Sequence, residues 1–125
     1  MPNLPDEILK AWENKEPIGV LTTVDEKGVP NAVYVGCMGL YGDWQFVVAD
    51  NYFDKTRKNI LNKSKGTLLF KTKEGKAYQV KGTFSYETQG KLFDFMKSIN
   101  PTKHPGHAAA ILNLEEAYSG ARKLL

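Results

Sequence analysis

The residues whose types and spacing could do chemistry lie in the run Asp54-Lys55-Thr56-Arg57-Lys58-Asn59. The segment before it, Trp44 to Ala49, reads as a strand, Asp50 to Phe53 as an irregular loop, and about Lys55 to Asn62 as a short helix. The start of a helix carries unpaired N–H groups and a partial positive charge, which favour an oxyanion. Lys55 adds a full charge and Thr56 a hydroxyl donor, while Arg57 and Lys58 strengthen the local potential. The arrangement suits one terminal phosphate. On these residues alone two readings stand, a phosphate site and an ordinary basic helix start.

The surroundings extend the positive charge. From Lys55 to Lys81 nine basic residues face one acid, Glu74, although the whole chain carries a formal charge of only +3. Such a block is either a solvated face or a field that draws an anion, a phosphorylated small molecule or a nucleic acid. Aromatic residues are not interleaved through it as a platform for stacking single strands requires, so no nucleic-acid partner is expected. No GxGxxG follows a strand and no GxxxxGK[ST] occurs, which excludes the usual dinucleotide and nucleoside-triphosphate loops. His104 and His107 flank Pro105-Gly106, a pair that breaks any helix able to bring both rings to one face. Two histidines also fall short of a stable zinc ligand set, so no metal is expected. Cys37 is the only cysteine, so no disulfide forms within the chain; it reads as a buried, inert thiol in a strand, suited to a reducing cytosol. Ser119-Gly120 lacks the context of a nucleophile elbow.

The elements that must position these residues fit one domain over residues 1–125, with 42% hydrophobic and 25% charged residues. No apolar run approaches the ~20 residues that span a bilayer. The opening Met-Pro-Asn-Leu-Pro-Asp-Glu lacks the basic-then-apolar pattern of a secretory leader, so a cytoplasmic protein with no membrane partner is expected. A helix is predicted from about Pro5 to Asn14, with Ile8, Leu9 and Trp12 on one face. Strands follow at Ile18–Val24, Pro30–Met38 and Trp44–Ala49, with turns at Asp25–Gly28 and Leu40–Asp43. Two more strands are predicted at Gly66–Thr72 and Ala77–Tyr86. A helix capped by Thr88 then runs to about Asn100, its Leu92, Phe95, Met96 and Ile99 stripe assigned to core packing. A sixth strand, Ala108–Leu114, precedes a short polar tail. Six short strands joined mostly by tight turns predict a mainly β fold, a small antiparallel barrel with peripheral helices.

The order of these features resembles the pyridoxamine 5′-phosphate oxidase-like, FMN-binding split-barrel family, over roughly Leu9 to Tyr118. Gly19-Val-Leu-Thr-Thr-Val-Asp-Glu-Lys-Gly-Val-Pro-Asn31 carries it as the opening hairpin, Trp44-Gln-Phe-Val-Val-Ala-Asp50 as the third strand, and Asp54-Lys-Thr-Arg-Lys-Asn-Ile60 as the phosphate segment. His107-Ala-Ala-Ala-Ile-Leu-Asn-Leu-Glu-Glu-Ala-Tyr-Ser-Gly120 is similar to the closing strand and tail of small members. The resemblance implies a six-stranded split barrel with FMN at the interface of a homodimer, outside the barrel. Carried over by position, Val33, Tyr34, Val35 and Gly36 would line the flavin ring. Ala49, Asp50 and Asn51 would border the ring and ribityl chain, and Lys55 and Thr56 would hold the phosphate. Trp44, Tyr52 and Phe53 are interface, flavin-adjacent or core residues, and His107 is expected to approach the flavin from a loop near the interface.

In one respect the chain departs from the family's namesake. The true oxidases are larger and hold the substrate phosphate with C-terminal arginine and histidine residues, whereas after Gly106 the only arginine of this sequence is Arg122. The expectation is therefore an FMN-dependent oxidoreductase or small electron-transfer protein that does not oxidise pyridoxine phosphate. The alternative is a non-catalytic protein on the same fold that stores or senses flavin, or holds haem or a deazaflavin.

Overall fold

Between Gly19 and Val24 burial alternates: Leu21 and Thr23 turn inward, and Val20, Thr22 and Val24 turn outward, the pattern of a pleated strand with one solvated face. The computed structural model describes residues 3–125; Met1 and Pro2, which open the stretch read for a leader and the single domain, lie outside the described residues. The described residues form eight strands: β1 (Gly19–Val24), β2 (Pro30–Val35), β3 (Met38–Tyr41), β4 (Gln45–Asp50), β5 (Lys65–Lys71), β6 (Ala77–Glu87), β7 (Ala108–Ser119) and β8 (Arg122–Lys123). Helices are α1 (Asp6–Glu13), α2 (Lys55–Leu61) and α3 (Lys91–Ile99). The strands form one antiparallel sheet in the order β2-β1-β5-β6-β7-β4-β3, with β8 on β7. The sheet curls into a barrel that stays split between β2 and β3, which are consecutive in the chain and lie at its two edges.

The count of eight corrects the expected six. The strand read as Pro30–Met38 breaks at Gly36-Cys37, where the chain leaves one edge of the sheet and starts the other, and the turn lies at Gly42–Trp44, so that Leu40 and Tyr41 belong to β3. The stretch read as a short polar tail after Leu114 is paired as well, because β7 continues to Ser119 and β8 returns on it. Thr88 does not cap α3, which begins after Gly90 at φ +95° without a side-chain cap.

Two apolar layers explain the strand patterns. Inside the curl, Leu21, Phe46, Val48, Leu68, Phe70, Val80, Leu112 and Leu114 pack with Leu4, Ile8 and Ala11 from α1 and its approach. Trp12 meets Phe46 and Phe70 edge-on, with ring centroids 5.0 Å away in each case. Outside the curl, Met96 of α3 packs with Val47, Ala49, Ala109 and Ile111. β4 and β7 are therefore covered on both faces, which is why Val47-Val48-Ala49 and Ala108–Leu112 are unbroken apolar runs. The stripe on α3 is core packing at Met96, while Phe95 and Ile99 close over β3 at Gly39, where a Cβ would touch both side chains. Among the described residues no helix is long and apolar enough to cross a membrane.

The long β6–β7 pair closes the curve through a bulge. Lys81 pairs with Glu116 but Gly82 pairs with Leu114, leaving Glu115 as the extra residue. A Cβ on Gly82 would collide with the backbone carbonyl of Asn113, so the approach requires glycine. Gly82→Ala is expected to lower unfolding stability by about 3 kcal/mol or more, read from the urea midpoint, because backbone must move to admit it.

Candidate functional site

The local architecture starts from one carboxylate. Asp50 ends β4 fully buried, and its side chain accepts hydrogen bonds from Arg57 Nε (2.7 Å), Arg57 Nη2 (3.1 Å), the Tyr86 hydroxyl (2.6 Å) and the Phe53 N–H (3.1 Å). These contacts fold the loop after β4 back on itself and draw the first turn of α2 toward β6. Burial alone pushes the Asp50 carboxyl upward; the Arg57 guanidinium, then Tyr86 and the Phe53 N–H, outweigh it and hold the group below its ordinary value. Burial, then the hydrogen bond to Asp50, pushes the Tyr86 phenol up to about 12.

The other side of α2 is pinned to β1 by Asn59, whose Nδ2 donates to the buried Thr23 hydroxyl at 2.9 Å. The Thr56 side chain is also buried. Its oxygen accepts from Asn31 Nδ2 at 3.1 Å, which leaves its own proton for another acceptor. Asp54 precedes α2 without a side-chain cap and instead approaches Lys58 Nζ at 3.8 Å. Lys55 is exposed and, among the described residues, pairs with no carboxylate.

A cleft of about 730 Å³, within the ~300–1,000 Å³ range of small-molecule sites, opens between β2, the β4–α2 loop, the start of α2 and the loop from α3 to β7. Val33, Tyr34, Val35, Gly36, Ala49, Asn51, Lys55 and Thr56 all line it, although they come from three separate segments of the chain. Asp50 does not: its carboxylate is spent on Arg57, Tyr86 and Phe53 beneath the cleft. Arg57, expected to add to the anion field, is likewise committed to Asp50. The rest of the basic block disperses over the surface, with Lys65 at Glu115 (3.4 Å), Lys76 at Glu7 (3.1 Å) and Lys81 over the Tyr118 ring (5.0 Å).

Asn31, Ile99, Lys103 and His104 also line the cleft and carry no cofactor role in the sequence reading; Cys37, read as a buried inert thiol, and Tyr52 and Phe53, read as interface, flavin-adjacent or core residues, line it too. Asn31 was visible only as the end of the opening hairpin, and its partner Thr56 lies 25 residues away. His104, not His107, faces the cleft, because the His107 N–H is held by the Asp50 carbonyl (2.9 Å) and its side chain is exposed elsewhere. Cys37 lies in the β2–β3 link rather than in a strand, half-buried, its thiol pushed up by burial. Trp44 packs on the core, Phe53 reaches both core and cleft, and Tyr52 is 71% exposed at the rim. Among the described residues no three of His, Cys, Asp and Glu converge as a metal site would require.

Residues 4–121 match the family model for pyridoxamine 5′-phosphate oxidase. The chain belongs to the pyridoxamine 5′-phosphate oxidase family. It is 28% identical over 121 residues to an uncharacterised protein of Methanocaldococcus jannaschii, covering 93% of this chain and 80% of that one. In structure this family member is similar to HupZ of Group A Streptococcus (TM-score 0.80, 25% identity, 93% of each chain covered). It is also similar to a protein of Syntrophomonas wolfei described as FMN-binding (TM-score 0.72, 21% identity, 86% of this chain and 78% of the other). General stress protein 26 of Bacillus anthracis shares the fold as well (TM-score 0.68, 20% identity, 90% of each). The curled, split antiparallel sheet of this protein is the split barrel of the family.

Removing the guanidinium from this node gives a test with a definite pH sign. Arg57→Met is expected to cost about 2–3 kcal/mol at pH 7, less than the ~3–5 of a fully buried pair because Arg57 is partly solvated. In the wild type, the stability from Asp50 is present above the unfolded carboxyl value and is lost as pH falls through the depressed folded value. In the variant, burial acts without Arg57 and raises the folded value, so the gap between the two proteins should narrow on acidification. Urea unfolding at neutral pH and near the carboxylate range measures both.

Proposed function

We propose that this protein is an FMN-binding flavoprotein, working as an oxidoreductase or a small electron-transfer protein, with FMN held in the cleft between β2 and α2. The observation that carries the reading is the convergence of eight lining residues from three segments on one cleft with a chemically divided wall. At one end stand an unpaired ammonium, Lys55, and a buried hydroxyl, Thr56, with a proton to give. Along the rest run Val33, Val35, Phe53 and Ile99, with the aromatic rings of Tyr34 and Tyr52. That donor set suits a phosphate joined to a flat, largely apolar ring system. Family membership and the FMN-binding description of the Syntrophomonas wolfei protein support the same reading.

In this reading Lys55 and Thr56 hold the phosphate, Asn31 orients the Thr56 hydroxyl, and β2 flanks the ring. Bound there, FMN supplies hydride and single-electron chemistry, while the chain supplies binding, orientation and electrostatics. A second copy completes the site: Tyr34 is 82% exposed and Tyr52 71%, and both line a cleft that leaves edge strand β2 uncovered. Oxidation of pyridoxine phosphate itself stays outside the proposal, since Arg122 is engaged by Glu7 (2.7 Å) and does not line the cleft. A cytoplasmic setting suits the single free thiol.

The purified protein is expected to be yellow and to release FMN on denaturation. Lys55→Ala or Thr56→Ala should weaken FMN binding by about 1–3 kcal/mol in a fluorescence titration, the scale of a lost charge-assisted hydrogen bond. Unchanged affinity in both variants would place the phosphate elsewhere. Sedimentation should give a dimer, and a monomer that binds FMN fully would remove the shared-interface part of the proposal.

A further inference from the structure

The loop between α3 and β7 is tied down more firmly than its exposed sequence suggests. Asn51 and Asn100 exchange amide hydrogen bonds in both directions (3.0 and 2.9 Å), and Asn51 Oδ1 also accepts the Gly106 N–H at 2.9 Å. Lys97 Nζ donates to the carbonyls of Pro105 (3.0 Å) and Gly106 (3.3 Å). Gly106 sits at φ +56°, and a Cβ there would press on Asn100 Nδ2 and Lys97 Nζ. The loop is thus latched at both ends, and the segment it presents to the cleft is Lys103-His104.

Each of those two side chains keeps a donor that the fold does not use. Among the described residues Lys103 pairs with no carboxylate. His104 Nδ1 lies 3.0 Å from the Tyr52 hydroxyl, with the two rings edge to face at 5.6 Å. With the Tyr52 phenol donating to Nδ1, the ring proton sits on Nε2 and is free for a ligand. Among the described residues Asp54 is the one carboxylate lining the cleft, and it leans toward Lys58. A cleft with Lys55 for one phosphate therefore has a second cationic group left over.

We propose that Lys103 and His104, steadied by Tyr52, form a second anion subsite of the cleft, which takes the carboxylate or phosphate of the small molecule that reacts with the cofactor. This rests on the flavin reading for its purpose, though not for its chemistry.

The test is an NMR titration of the isotope-labelled, FMN-loaded protein with inorganic phosphate and, in a separate arm, with oxalate. Saturable shifts at the amides of residues 102–104 and at the His104 ring are expected with at least one anion, and the responding anion names the class. Lys103→Met and His104→Ala should each weaken that response at least about tenfold while FMN affinity stays within about twofold. No saturable shift with either anion, or a response that survives both substitutions, overturns the proposal. So does a comparable loss of FMN affinity, which would put the two residues in the cofactor's own site. If the protein takes up no FMN, the same shifts in the free chain uphold the anion subsite while the flavin reading falls; their absence overturns the subsite as well.

Discussion

A carboxylate sealed under the surface is costly unless every oxygen is answered, and Asp50 is answered by Arg57, Tyr86 and the Phe53 N–H at once. Its backbone carbonyl also receives the His107 N–H at the start of β7. One residue thereby joins the end of β4, the loop behind it, α2, β6 and the latched loop before β7. Ala49 at the end of β4, the β4–α2 loop, the start of α2 and the latched loop all line the cleft, facing β2 across it. Asp50 was expected to border a bound ring by virtue of its position in the chain; its actual service is to hold in place the neighbours that do line the cleft.

The second constraint is that the barrel does not close. β4 and β7 are covered inside by the main core and outside by α3, so that end of the sheet is finished. β2 has only β1 beside it and exposes Ala32 and Tyr34 on the side of the cleft. An open edge with aromatic surface is a liability in an isolated domain, and it is usable surface when a ligand and a second subunit complete it. The open seam and the proposed site are thus two aspects of the same geometry. The bulge at Gly82 adds a bend to the β6–β7 pair in the middle of the same sheet.

Much of this was legible because it is local. β-branched residues marked a strand at Ile18–Val24, which forms as Gly19–Val24, and the stripe of Leu92, Phe95, Met96 and Ile99 marked α3 to within a few residues at its start. Lys55 and Thr56 stood out since a basic residue and a hydroxyl at a helix start have a chemistry of their own. What could not be read depends on partners distant in sequence. The break at Gly36-Cys37 follows from the curl of the whole sheet, and β8 exists only because β7 is there to pair with it. Asp50 looks like any loop acid until Tyr86, 36 residues on, is folded against it. His104 and His107 are indistinguishable as a histidine pair, and only the latch from Asn51 to Asn100 decides which ring meets the cleft.

In the proposed site the cleft beside β2 holds FMN with its phosphate at Lys55 and Thr56. A crystal structure of the protein grown with FMN tests it most directly. The account predicts flavin density along Val33–Gly36, the phosphate within hydrogen-bonding distance of the Thr56 hydroxyl and Lys55, and Asp50 still buried against Arg57. Flavin bound at another surface, or a cleft that stays empty at saturating FMN, would contradict it.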